Sequence, residues 1–188
     1  MLVVGGGKIA LQKIKALTPC AAKITVVAKD ADPSLRRWAG KNKLKLILRP
    51  FRERDLAGKD LVFCATNDGR LNARVSSGCR KRKIGVNVAD QPALCTFIVP
   101  AVVRRGEVTF AISTGGAAPA LAKFLRKKVE ENFGAEIARL ARRLKKMRAR
   151  ILKIPIPARR KVLAEILKDR TPTKKRGNPN GKYRTNHF

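Results

Sequence analysis

Gly5-Gly6-Gly7-Lys8-Ile9-Ala10 fits the pattern G-x-G-x-x-A, directly after the apolar run Leu2–Val4 and directly before a helical pattern. Such a run can hold a pyrophosphate. The first glycine permits a tight turn, the second lets backbone approach the phosphates, and a small third residue lets helix and strand pack closely. Amides at the helix start then face the anion. The fingerprint also asks for an acidic residue about 20 positions on, after the second strand, and Asp30 stands there. The plain alternative is a glycine turn without a ligand; the strand–turn–helix context favours a dinucleotide. Other chemistries have little to be built from. The single histidine, His187, is the penultimate residue, so neither a His-ligated metal centre nor a His-based triad is expected. Cys20, Cys64, Cys79 and Cys95 are widely spaced with no CxxC pair, which is neither zinc spacing nor a disulfide framework. Cys64, inside the apolar run Leu61–Ala65, reads as a small buried hydrophobe. No resident metal is expected, and acid–base chemistry falls to the few carboxylates.

The elements that must position these residues follow from periodicity. Leu2–Val4, Lys23–Ala28, Leu44–Leu48, Leu61–Ala65 and Ile84–Val88 are short β-type runs. Between them Lys8–Leu17, Pro33–Ala39 and Gly69–Arg82 read as helices or turns, an alternation that predicts a parallel sheet covered on both faces. Phe97–Arg104 and Glu107–Ser113 read as an antiparallel hairpin turning at Arg105-Gly106. After Gly115-Gly116 a helix is expected from about Ala118 to Asn132, with Pro119 in its first turn. Ile137, Leu140, Ala141, Leu144, Met147 and Ile151 mark the apolar face of a long basic helix, which Pro155 and Pro157 are expected to end. Val162, Leu163, Ile166 and Leu167 suggest one more helix, and from Thr171 the composition predicts a disordered basic tail. The first strand begins at Met1 and is barely four residues, so either the sheet tolerates a short strand or residues are missing ahead of it.

The 188 residues carry 44 Lys+Arg against 13 Asp+Glu, a net charge of +31. Hydrophobic residues make up 44% of the chain, enough for a real core, and no apolar run approaches the ~18 residues that a membrane span needs. The N-terminus is too short in its apolar part for a signal peptide, so a soluble, cytoplasmic protein is expected. The charge allows nucleic acid, a membrane surface or a polyanionic small molecule as partner.

Further motifs narrow the choice. Gly58-Lys59-Asp60-Leu61-Val62-Phe63-Cys64-Ala65-Thr66-Asn67-Asp68 is followed by Leu71-Asn72, then Asn87-Val88-Ala89-Asp90-Gln91-Pro92, Phe97-Ile98-Val99-Pro100-Ala101 and Ala111-Ile112-Ser113-Thr114-Gly115-Gly116-Ala117-Ala118-Pro119. In this order, over about residues 1–165, they resemble the precorrin-2 dehydrogenase family, the N-terminal module of siroheme synthases. The resemblance implies NAD-dependent oxidation of precorrin-2 to sirohydrochlorin, with Fe²⁺ inserted in the same site in some members. It also implies an α/β Rossmann-like parallel sheet as the NAD-binding domain (1–95), a β-hairpin-plus-helix dimerisation segment (96–134) and a small all-helical region (135–170), assembled as a homodimer. Residues 171–188 form the tail. The chain departs from the family in lacking a stretch ahead of the glycine loop, in having Ala21-Ala22 where glycine is usual, and in ending without a methyltransferase module.

The family's catalytic aspartate falls on Asp90, as a general base that takes a proton while hydride leaves the macrocycle. A partly desolvated carboxylate would suit that role. Taken by itself, Asp-Gln-Pro is also good turn chemistry, so an Asx turn is the alternative. Gly5, Gly7, Lys8 and Ile9 are expected at the pyrophosphate, and Asp30 at the ribose hydroxyls, where it would repel the 2′-phosphate of NADP. Thr66 and Asn67 are expected on the same rim. Lys29 is a further candidate contact, with a solvated surface lysine as its other reading. Ser113, Thr114, Gly115 and Gly116 could hold a substrate carboxylate, or could simply form a helix start capped by Thr114.

Nucleic-acid binding through residues 135–188, on a Rossmann-like scaffold, is the rival reading. The basic run Arg139–Arg150 and Lys174-Lys175-Arg176 support it. Against it, aromatics are 5% of the chain, too few for a base-stacking platform. A substrate with eight carboxylates accounts for part of the charge. About half of that charge lies past residue 134, with 18 basic and 3 acidic residues there, which leaves nonspecific nucleic-acid contact by the tail as a side role.

Overall fold

In a computed structural model, residues 1–20 and 23–168 are described. Ala21-Ala22, the basic tail with Lys174-Lys175-Arg176, and His187 lie outside them. The chain forms two compact units, divided between Val99 and Pro100.

The first unit is built on five parallel strands: β1 (Leu2–Val4), β2 (Thr25–Ala28), β3 (Lys45–Leu48), β4 (Leu61–Cys64) and β5 (Gly85–Val88). Their order is β3-β2-β1-β4-β5. Chain progression therefore reverses direction beside β1, at the switch point where open α/β sheets bind ligands. β1 is only three residues long, yet it is hydrogen-bonded on both sides and every residue is buried. Helices α1 (Lys8–Leu17), α2 (Pro33–Lys41) and α3 (Gly69–Lys81) connect the strands. One face of the sheet packs Val3, Val26 and Phe63 against Ala10, Ile14 and Leu35, and the other packs Val4, Val62 and Val86 against Val75, Cys79 and Leu56. Ala10 is fully buried, as the small-residue position of the fingerprint requires.

β5 is an edge strand, and the chain itself covers it. Residues 91–97 fold back so that Thr96 donates its amide to the Val86 carbonyl and its hydroxyl accepts from the Val86 amide. Ser76 and Arg80 of α3 hold the same segment through the carbonyls of Leu94, Ala93 and Cys95. Phe97 then packs edge-on against Phe63. Phe97 to Pro100 are thus not part of the hairpin strand that the β-rich composition suggested, which begins at Ala101; the Phe97 carbonyl instead accepts from the Asn87 side chain of β5.

Beyond β3, Arg49 makes a two-pronged ion pair with Asp55, at 2.8 and 2.6 Å, and Asp55 also accepts the Arg52 amide. The Arg49 guanidinium holds the Asp55 carboxyl below its ordinary pKa of 3.8. A depressed carboxylate stabilises the fold above that value and loses its contribution as pH falls through the lower, folded one. Asp55→Asn is expected to cost about 1–2 kcal/mol at neutral pH. That difference should shrink toward zero in denaturant titrations repeated from pH 5 down to about pH 2.

The second unit opens with an antiparallel pair, β6 (Ala101–Arg105) and β7 (Val108–Ile112). Arg105 faces Val108, so the tight turn is Gly106-Glu107, one residue later than the sequence suggested. Gly106 has φ +62° while Glu107 does not, which puts the glycine at the first central position, as a type II′ turn requires; an Arg105-Gly106 turn of the other common kind would ask for positive φ at Arg105. Helices α4 (Pro119–Asn132), α5 (Ala135–Leu152) and α6 (Ile156–Lys168) follow. Arg105 caps the end of α4 by donating to the carbonyls of Phe133 and Glu130. Leu140 and Ile151 are the buried residues of the predicted apolar face of α5. α5 stops at Leu152, ahead of both prolines, and Pro157 lies within the first turn of α6, where a missing amide costs nothing.

Candidate functional site

A cavity of about 790 Å³ lies at the carboxyl ends of the strands. It gathers Gly5, Gly7, Lys8 and Ile9 from the loop after β1, Lys29 and Asp30 from the end of β2, Thr66 and Asn67 after β4, and Asp90 after β5. Four separate strand ends thus deliver every candidate residue of the first unit to one rim. Ser113, Thr114, Gly115 and Gly116 belong to the second unit.

The glycine loop is shaped by contacts that are unequal. Gly5 has φ +117°, and a Cβ on it would sit 2.2 Å from the Ala65 carbonyl oxygen. Gly6, the unspecified position of the fingerprint, is more tightly held still: a Cβ there would lie 2.0 Å from the Asp30 carbonyl oxygen and 2.9 Å from the Ala31 Cα. The Gly6 carbonyl in turn accepts the Asp32 amide. Gly7, by contrast, has nothing within 4 Å of the corresponding position. That open space stands in front of α1, whose first-turn amides have no acceptor within the helix. No side chain caps α1 and its first turn holds no acidic residue, whereas Asp32 caps α2 and Asp68 caps α3. The donor set and the open approach fit a pyrophosphate.

Asp30 is exposed and points one oxygen, Oδ1, at two donors, the Ala31 amide at 2.7 Å and Arg36 at 2.5 Å. Arg36 lowers its pKa, and the Ala31 amide adds to the effect. Arg36 lies six residues past Asp30, at the end of the first turn of α2, and no linear motif marks it.

Thr66 is positioned by Asn72, a residue with 1% exposure on α3. Thr66 Oγ1 donates to Asn72 Oδ1 at 2.6 Å, and Asn72 Nδ2 donates to the Thr66 carbonyl at 3.1 Å. The Cys64 thiol also donates to Asn72 Oδ1. Burial pushes that thiol up to about 12, so Cys64 is inert packing, as its apolar neighbours indicated. Asn72, in the Leu71-Asn72 pair, is a buried polar side chain that ties the rim to α3. Asn72→Ala should cost about 2–3 kcal/mol, since it leaves buried partners unsatisfied, and a urea titration would show it.

Asp90 stands in a turn with φ +57°, a conformation that aspartate tolerates better than most residues. The turn is fixed on both sides. Before it, Asn87 donates to the Phe97 carbonyl; after it, Cys95 Sγ bonds the Val88 amide and carbonyl. Asp90 itself is exposed, so the partial desolvation asked of a base is not built into this unit.

In the second unit, the Ser113 hydroxyl accepts the Gly115 amide, and the Thr114 hydroxyl accepts the Ala118 amide. α4 itself has no side-chain cap, so Thr114 orders the turn ahead of the helix. Gly115 and Gly116 both have positive φ.

A parallel sheet with a glycine loop at its switch point and an acidic residue after the second strand defines a Rossmann-type dinucleotide-binding protein. Residues 1–101 match the family described as "Putative NAD(P)-binding", and residues 105–132 match "Sirohaem biosynthesis protein central". The chain is 42% identical over 151 residues to a siroheme synthase of Pseudomonas fluorescens SBW25, covering 80% of this chain and 32% of that protein. A siroheme synthase of Thioalkalivibrio sulfidiphilus is 41% identical over 140 residues, which is 74% of this chain and 29% of that one. Among solved structures, SirC, a precorrin-2 dehydrogenase, superposes with a TM-score of 0.71 at 30% identity, over 89% of this chain and 84% of that one. The chain belongs to the family of the siroheme-synthase N-terminal module and the precorrin-2 dehydrogenases. It spans about a third of the length of the siroheme synthases it matches.

Proposed function

We propose that this chain is an NAD-dependent precorrin-2 dehydrogenase of siroheme biosynthesis, acting in the cytoplasm. One observation carries the reading: in a chain of this family, the glycine loop, the acidic residue after β2 and the Asp90 turn line a single cavity at the strand ends. Gly5, Gly7 and the first-turn amides at Lys8 and Ile9 would hold the pyrophosphate, and Asp30 the ribose. NAD, when bound, supplies the hydride acceptor. The substrate loses a hydride and a proton, and Asp90 takes the proton. Since Asp90 is exposed, the macrocycle itself has to cover it and remove its water when bound. Thr66 and Asn67 complete the rim between cofactor and substrate.

The second unit supports the expected homodimer. A two-stranded sheet is marginal alone, and α4, which packs against it, has no fully buried residue. Leu121, Phe124 and Leu125 are 48%, 55% and 38% exposed and share one helix face. That face would pack against a second copy. Phe124→Glu should shift the chain to monomer in sedimentation velocity runs, and an unchanged mass would set this interface aside. On Ser113 and Thr114 each hydroxyl oxygen already accepts an amide, which leaves its O–H to donate to a substrate carboxylate.

Incubation with precorrin-2, NAD and Fe²⁺, following NADH and siroheme separately, tests the whole reading. NADH is expected; siroheme alongside it would add iron insertion, with Fe²⁺ as a substrate. Neither product would return the rival nucleic-acid reading, which the exposed Arg142, Arg143 and Lys146 of α5 keep testable by a salt titration of RNA binding.

A further inference from the structure

Among the described residues, one half-buried polar side chain of the cavity is left without a partner. Gln91 lines the cavity from the turn that carries Asp90. The backbone there is fixed, since the Gln91 carbonyl accepts the Leu94 amide at 3.1 Å and the Cys95 thiol at 3.4 Å. The side-chain amide of Gln91 has no hydrogen-bond partner among the described residues, whereas Thr66, half-buried on the same rim, is already tied to Asn72. An amide offers two N–H donors and a carbonyl acceptor. All of them are open to a ligand in the cavity.

β1 lies between β2 and β4 in the sheet. A dinucleotide with its pyrophosphate on the loop after β1 and a ribose at Asp30, after β2, therefore directs its other half toward the ends of β4 and β5, where Gln91 stands. We propose that Gln91 pairs with the carboxamide of the nicotinamide ring, donating Nε2–H to its oxygen and accepting its N–H on Oε1. The inference rests on the dinucleotide reading above and adds a recognition residue for the reacting ring. Chemistry decides the match. Lys8 and Lys29 of the same cavity are donors only, and an ionised Asp90 is an acceptor only, so none of them can answer both halves of a carboxamide. The carboxylates of the macrocycle call for cations, which a neutral amide does not supply. Because Gln91 follows Asp90 directly, the ring it holds stands beside the base, and the two-way pair keeps the carboxamide from turning. A ring with an acetyl group in place of the carboxamide keeps the oxygen but has no N–H for Oε1.

Calorimetric titration of NAD and of its acetylpyridine analogue into the full chain and into Gln91→Met tests this without any turnover. The natural chain should bind NAD about tenfold more tightly than the analogue. Gln91→Met should weaken NAD about tenfold or more and bring the two affinities close together, because the side chain that told them apart is gone. The inference is overturned if the preference for NAD survives in Gln91→Met, which would mean that the carboxamide is recognised elsewhere. It is equally overturned if NAD binding is unchanged in that variant while the KM for precorrin-2 rises, which would turn Gln91 toward the macrocycle. If the natural chain binds neither dinucleotide, the cofactor reading itself fails and this inference with it. The Gln91 side chain bonds nothing within the described residues and methionine fills similar space, so the variant should fold normally, and thermal melts of both chains check this.

Discussion

Gly6→Ala is expected to destroy the site by unfolding its floor, with a stability loss of about 3–5 kcal/mol, a large share of the 5–15 kcal/mol typical of a domain. The added methyl would lie 2.0 Å from the Asp30 carbonyl oxygen and 2.9 Å from the Ala31 Cα. Neither is the far end of a flexible side chain. Relief needs the ends of β1 and β2 to separate, and that breaks the Asp32 N–H to Gly6 carbonyl bond and disturbs the Gly5 amide's bond to Val27. Gly7→Ala gives the matching control. Its φ of −83° suits any residue and its Cβ would meet open space, so the melting temperature should stay near that of the natural chain. The methyl would instead stand where the phosphates approach, and NAD affinity should fall about tenfold or more. Thermal melts and NAD titrations on the two variants separate the effects. A Gly6→Ala chain that melts normally would mean that the close approach of the β2 loop is not needed.

How far the sequence revealed this arrangement depended on whether a feature was local. The strand–helix alternation, the loop after β1 and the helices from Lys8 and Gly69 follow from runs of a few residues, and the structure has them within one or two positions. Asp30 was legible from its spacing after the glycine loop, and Asp90 only through the resemblance to a family, since Asp-Gln-Pro alone reads equally well as a turn. What escaped was set by contacts between elements. Gly6 counts as a free position in a linear fingerprint; only the approach of the β2 loop makes it obligatory. Arg36 and Asn72 act on residues six positions earlier through side chains, which no periodicity shows. The hairpin turn moved by one residue because Gly106 takes the first central position with positive φ and Glu107 the second without it, and the pattern of β-branched residues on either side allowed both placements. The role of residues 91–97 as cover for β5 was hidden because a chain that pairs through single hydrogen bonds has no alternating pattern of its own. Charge misled most. Asp30 and Asp55 are each satisfied by an arginine, so two of the few carboxylates serve binding or stability where a tally of charges shows only excess cation.

Asp90→Asn should abolish NADH formation from precorrin-2 while leaving NAD affinity unchanged. The substitution is chosen for the backbone as much as for the chemistry. Position 90 has φ +57°, which asparagine accepts as readily as aspartate, so the turn should persist. Val88 and Asn87 before it and Cys95 after it are held by bonds that do not involve the carboxylate. An amide cannot take a proton from the macrocycle at neutral pH, and loss of a positioned base typically costs about 10²–10⁴ in rate. Asp90→Ala would confound the two causes, because alanine is strained at positive φ. Since Asp90 enters from β5 and the phosphate loop from β1, the binding of NAD in a calorimeter should not register the change. A fall in turnover together with unchanged NAD binding assigns Asp90 to the reaction. Near-normal NADH production by Asp90→Asn would reduce Asp90 to a turn residue, and the base would then have to be sought among the other groups that reach the same rim.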